Sequence, residues 1–243
     1  MSEFKSVAIS IAPQEIFTSS ATQGTDLGGL ASTGDGRYFR YALAGSVTLV
    51  PGTMQQTPAQ DTTNQNPSGG LSVSAAAIGS SSVTITSSIT LAANLLAGGF
   101  LSVNVTPGQG YNYKIKGNSA VSAATGCVIT LEDPLLVALT TSSKVVLSQN
   151  PYSGVIQCPA TTPTGVAVGV PVFAVVNAQY GWLQTRGTAS LLGTGGTAVG
   201  SALSPSSGTA GALITQVAGK QIVAIAQGTF VTTEYDLGYL VID

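Results

Sequence analysis

Three runs between Asn150 and Leu192 decide the fold: Asn150-Pro151-Tyr152-Ser153-Gly154-Val155-Ile156-Gln157, Thr164-Gly165-Val166-Ala167-Val168-Gly169-Val170-Pro171-Val172-Phe173-Ala174-Val175-Val176, and Tyr180-Gly181-Trp182-Leu183-Gln184-Thr185-Arg186-Gly187. Each is short, apolar or alternating, and Gly, Pro and Asn-Ala-Gln cut one from the next. That punctuation predicts successive antiparallel strands with tight connections. Trp182 is the only tryptophan. Alternation puts it on one sheet face and Leu183 on the other, and a large ring among small side chains predicts a core anchor. The stretch predicts the centre of a C-terminal β-domain.

Downstream, 198–203, 212–214, 220–227 and 239–242 read as further strands. Upstream, six strands are predicted over 71–77, 82–86, 100–105, 111–116, 127–131 and 144–147, separated by turn chemistry such as Pro107-Gly108-Gln109-Gly110 and Asp133-Pro134. Leu91–Ala97 is the one helical expectation. Residues 54–70, rich in Gln and Asn, read as a linker. Arg37-Tyr38-Phe39-Arg40-Tyr41-Ala42 and Val47–Val50 are strands, whereas 1–30 lacks periodicity over two helical turns. The resulting fold class is all-β: an extended N-terminal arm with two small antiparallel β-barrel or β-sandwich domains. Its boundaries are 1–53 for the arm and first strands, left open to pack with the C-terminal domain, 54–70 for the linker, 71–149 for the middle domain and 150–243 for the C-terminal domain.

Composition narrows the function classes. Charged residues make up 7% of 243 residues, with 8 Lys+Arg, 10 Asp+Glu and no His, against roughly 25% charged in an average domain. No basic stripe exists for phosphate contacts, so no nucleic-acid partner is expected. No window approaches the ~18 apolar residues of a membrane span, and residues 1–6 are followed by no signal-peptide core. No membrane partner is expected. Without His, neither a Ser-His-Asp nor a Cys-His pair can form, and Gly193-Thr194-Gly195-Gly196 lacks the lysine of a phosphate loop. Glu132-Asp133 and Glu234-Asp236 are the only paired carboxylates suited to glycan cleavage; each reads better as the end of a strand or the close of a loop. Cys127 and Cys158 lie in apolar runs and read as buried free thiols rather than a disulfide, their redox state left open, and two cysteines without a histidine build no metal-ligand cluster. No catalytic residue, metal or cofactor is expected, and the chain reads as a non-enzyme.

The stretches with most to say are therefore apolar and aromatic. Arg37, Tyr38 and Arg40 stand either over core rings or in an interface, where Arg and Tyr are enriched. Ile9, Ile11, Ile16 and Phe17 are too apolar for a solvated tail. They predict an arm that docks on another subunit, by adding a strand or by seating Ile16 and Phe17 in a groove. These seven residues are the candidate interface.

The series Leu27-Gly28, Thr33-Gly34-Asp35-Gly36-Arg37-Tyr38-Phe39-Arg40-Tyr41, Tyr111-Asn112-Tyr113-Lys114-Ile115-Lys116, Leu131-Glu132-Asp133-Pro134, Ala138–Ser143, Asn150–Val155 and Tyr180–Gly187 resembles a group of tailed-bacteriophage virion structural proteins, in order and spacing from about Leu27 to the C-terminus. The resemblance implies a capsid decoration, or cement, protein. It would bind the outer surface of the phage head and reinforce the shell of major capsid protein. The expected partners are that protein and further copies of this chain, a trimer favoured over a dimer. The expected location is the virion capsid surface, after synthesis in the host cytoplasm. The alternative is a virion surface or fibre-like module whose Ser/Thr/Gly loops bind host glycans.

Overall fold

The computed structural model describes residues 8–62, 65–86, 90–122 and 126–243; Val7 of the arm lies outside them. Among the described residues the chain is all-β apart from one 3₁₀ turn, Glu15–Phe17. The strands are β1 (Ala8–Ser10), β2 (Leu30–Ser32), β3 (Tyr38–Ala44), β4 (Gln55–Gln56), β5 (Leu71–Ser72), β6 (Ser82–Thr86), β7 (Phe100–Val105), β8 (Asn112–Asn118), β9 (Gly126–Leu131), β10 (Lys144–Ser148), β11 (Ser153–Gln157), β12 (Ala167–Pro171), β13 (Tyr180–Thr197), β14 (Ala202–Pro205), β15 (Leu213–Thr215), β16 (Ala224–Ala226) and β17 (Phe230–Val241). Two compact units result, one of residues 60–150 and one of residues 1–59 with 151–243.

The 60–150 unit is a six-stranded barrel in the order β5-β10-β7-β8-β9-β6. It closes where Val73 bridges Ile85 and Ser74 N–H donates to Thr84 O at 2.9 Å. Period-2 alternation fills its interior: Leu101 and Val103, Tyr113 and Ile115, Cys127, Ile129 and Leu131, Val145 and Leu147 all point inward. The six predicted strands are all present, the first shortened to two residues. The predicted helix over Leu91–Ala97 is absent. Asn94 takes φ 59° and Asn118 bonds Leu96 N–H and Ala92 O at 2.9 Å each. The segment is thus a string of turns tied to β8, because a side-chain amide supplies the hydrogen bonds a helix would have supplied.

The other unit is organised by β13, whose 18 residues serve two rings of strands. Residues 180–186 pair with β3 and residues 183–184 with β12; farther along, β13 pairs with β17 and, at Gly193, with β15. The first ring is β3-β11-β4-β12-β13 and the second β13-β15-β14-β16-β17, each closed by its own pairings. Three pairings are parallel, β1–β2, β3–β11 and β13–β15; the others are antiparallel. Odd-numbered residues of β13 face the interiors. Leu183 packs with Ala42, Leu49, Val155 and Val175 in the first, and Ala189 and Leu191 pack with Leu203, Phe230 and Leu240 in the second.

One expectation is corrected here, and one left open is resolved. Residues 54–59 are not linker: Met54, Gln55 and Gln56 are fully buried, since β4 fills the gap between β11 and β12. Gln55 Nε2 donates to Thr53 O at 2.8 Å and Gln56 Nε2 to Thr164 Oγ1 at 2.7 Å. These bonds satisfy the two amide nitrogens, whereas both Oε1 atoms are buried without a hydrogen-bond partner. The domain that begins at Pro151 also takes in the N-terminal 59 residues, so β3 completes its first ring.

Candidate functional site

The outward face of β13 is covered at one end and open at the other. At the covered end Trp182 meets Tyr41 edge-on, ring centres 4.9 Å apart, and Tyr41 stacks on Tyr180 at 5.9 Å. Ile11, Ile16, Ala31 and Phe39 complete the cluster. The arm is pinned over these rings by backbone and side-chain bonds. Ser20 and Tyr180 exchange N–H···O bonds of 3.0 and 2.8 Å, Ser19 Oγ donates to Gln179 Oε1 at 2.6 Å, and Gly24 N–H donates to Tyr41 Oη at 3.0 Å.

This placement divides the seven candidate interface residues. Ile16 does occupy an apolar groove, but the groove belongs to its own chain. Ile11 and Ile16 are 8% and 1% exposed, so neither is free to reach another subunit. Ile9 and Phe17, at 51% and 50%, remain outside. Phe17 lies two residues from Ser19, which accepts from Val176 N–H at 3.2 Å. Thr48 Oγ1 in turn accepts from Asn177 N–H at 3.3 Å. The exposed side chains Phe17, Val176 and Val47 therefore belong to neighbouring segments.

The arginines are largely committed within the chain. Arg37 pairs with Asp35 at 2.7 Å and lies over Phe39, 5.6 Å from the ring centre. Arg40 pairs with Asp243 at 2.9 Å and donates to Gly28 O at 2.8 Å. The side-chain hydrogen bond from Arg37, then that from Thr33, hold the Asp35 carboxyl well below the usual carboxylate range. A depressed carboxyl contributes stability above its unfolded pKa of roughly 4 and loses it as pH falls through the folded value. Asp35 is half exposed, so that contribution is small. Tyr38 lies under Arg186, 6.0 Å from the guanidinium. Arg37 and Arg40 are each ion-paired within the chain and each 27% exposed, so both, like Tyr38, stay partly accessible.

The open end was not anticipated from the sequence. There Arg186, Thr188, Ser190 and Leu192 of β13 stand opposite Val241, Tyr239, Leu237 and Tyr235 of β17. All four β17 residues are exposed, Leu237 to 52%. A sheet with one face in water ordinarily alternates apolar-in with polar-out. Here β17 is apolar on both faces, with Leu240 inside and Tyr239 and Val241 outside.

Polar chemistry is sparse elsewhere. A partly enclosed cavity of about 280 Å³ is lined by Cys158, Val166, Pro205, Lys220 and Gln221. Lys220 Nζ is bound to Pro205 O at 3.0 Å and Gln221 brackets Ala167 through both amide atoms. Burial pushes the Cys158 thiol up to about 12. Cys127 and Cys158 are both free and buried. A maleimide at ~pH 8 is expected to leave both unlabelled in the native protein and to label both after denaturation, read by intact mass; fast native labelling would mean the cavity opens. Glu132, Asp133 and Glu234 are exposed, and among the described residues no group of three or more His, Cys, Asp or Glu is placed to hold a metal. No helix among them is long and apolar enough to cross a membrane. No family model, no curated protein and no solved structure matches the chain.

Proposed function

We propose that the chain is a non-enzymatic structural protein of a tailed-phage virion, a decoration protein bound in many copies to the outer surface of the head. One observation carries this reading: the arm is anchored through Ile11 and Ile16 while Ile9 and Phe17 of the same arm stay in water. An arm so fixed presents apolar side chains without further ordering cost, which suits a rigid contact with another protein surface. The low charge supports it too, since dense packing of many copies meets little electrostatic repulsion. The sequence resemblance supplies the setting, with major capsid protein as the surface contacted.

The test mixes the full chain with shells assembled from the major capsid protein of its phage, counts bound copies, and repeats with Phe17→Asp. Saturation at copies in proportion to shell subunits is expected. Phe17→Asp should weaken binding at least about 30-fold, the loss of one hot spot of ~2 kcal/mol, with melting unchanged because Phe17 is half exposed. A few copies per particle would favour the glycan-binding fibre module instead. Equal binding by Phe17→Asp would remove the arm from the contact.

A further inference from the structure

We infer that the cavity between the 162–167 loop and the 219–221 turn is a binding site for a small monocarboxylate with an apolar body, the carboxylate on Lys220 and the body against Cys158, Val166 and Ala167. This site is independent of the capsid reading. The cavity's volume of about 280 Å³ exceeds the ~150 Å³ that takes a benzene ring, so a six-membered ring bearing a carboxylate fits. Cys158, Pro163, Val166, Ala167 and Pro205 make its apolar wall, and Lys220 is the one charged side chain that lines it. The Cys158 thiol stays protonated because burial pushes it up to about 12, so it adds no negative charge.

Lys220 is fixed in place and its charge is unmatched. Its Nζ donates to Pro205 O at 3.0 Å, which uses one of the three ammonium donors. Its backbone N–H donates to Val217 O at 3.1 Å, and Gln216 Nε2 donates to Val217 O and Lys220 O at 2.8 and 3.0 Å. Gln221 ties this turn to the facing wall by bonding both backbone groups of Ala167, and Gln56 Nε2 holds the loop through Thr164 Oγ1 at 2.7 Å. Both walls are therefore set before any ligand arrives. No Asp or Glu lines the cavity, and the ion pairs among the described residues use Arg37 and Arg40, not Lys220. Two ammonium donors beside an apolar wall favour an anion over a neutral group, because a charge-assisted hydrogen bond is the stronger kind and the wall partly excludes water. A single cation calls for a single negative charge.

Fluorine NMR of the full chain with 4-fluorobenzoate, and with its neutral counterpart 4-fluorobenzamide, tests this. The benzoate should saturate with a dissociation constant of about 1 mM or tighter, and the amide should bind at least about tenfold more weakly. Lys220→Gln removes the charge and keeps a donor for Pro205 O. It should bind both ligands alike, the amide as the wild type does. No saturation by the benzoate, equal binding of the two by the wild type, or a carboxylate preference that survives Lys220→Gln would each overturn the inference. So would a Lys220→Gln variant that binds neither ligand, since the lysine would then be a strut of the fold.

Discussion

Trp182→Ala is expected to destabilise the β13 unit by about 3–5 kcal/mol, the usual cost of truncating a buried aromatic. For a unit of this size that is a fall in melting temperature of roughly 6–20 °C. The ring is 7% exposed. It holds the edge-on contact with Tyr41, and the same cluster takes in Ile11 and Ile16 of the arm. Its removal should therefore do two things: leave a cavity on β13, and loosen the arm, so that residues 8–30 become sites of subtilisin cleavage in the folded protein. Trp182→Phe keeps most of the apolar volume and should cost clearly less. Scanning calorimetry reads the first effect and limited proteolysis the second. A variant that melts with the wild type would show that Trp182 is not the anchor, and intact resistance to subtilisin would show that Ser19, Ser20 and Gly24 hold the arm alone.

The sequence was most legible where alternation was clean and the breaks were true turns. The barrel of residues 60–150 is the case in point: its strands alternate Leu, Val, Ile and Cys inward, and Gly or Pro falls at the connections. It was least legible where glycine lies inside a strand. The run read from the sequence stops at Gly187, and Gly193-Thr194-Gly195-Gly196 follows it, yet β13 runs through all of these glycines. Gly193 is there because a Cβ would collide with Phe230. Gly238 does the same within β17, where a Cβ would stand 2.6 Å from Leu191 Cδ1. Reading Glu234 to Asp236 as the close of a loop before a strand at 239–242 hid the outward row of Tyr235, Leu237, Tyr239 and Val241, although its alternation is plain once the strand is extended. The arm failed differently. Its apolar residues correctly called for a groove, but nothing local says whose groove, because the answer depends on Trp182, more than 160 residues away.

Gly187→Val is expected to be at least as damaging as the loss of the tryptophan, about 3 kcal/mol or more, through backbone rather than packing. β13 must change partners here, from β3 and β12 to β17 and β15, and the pairing with β3 shifts register between Gln184 and Arg186. Gly187 absorbs the change at φ 90°, a conformation that is an outlier for a β-branched residue. Gln184 completes the bulge, its amide nitrogen donating to Arg186 O at 3.1 Å and Thr188 O at 2.9 Å. A side chain at 187 faces a second obstacle, since its Cβ would lie 2.9 Å from Gly36 O and 3.2 Å from Arg37 Cα. Both are backbone atoms of the segment leading into β3, so relief requires moving a strand. Gly34 separates the two costs. It has φ 78°, and a methyl group there would meet nothing within 4 Å, so Gly34→Ala should cost only the backbone strain of ~1–2 kcal/mol. Gly187→Ala should cost more than that by the contact with Gly36 and Arg37, and Gly187→Val more again. Equal losses for the two alanine variants in urea unfolding would mean that β3 yields freely, and that the handover in β13 is not the rigid joint between the two rings.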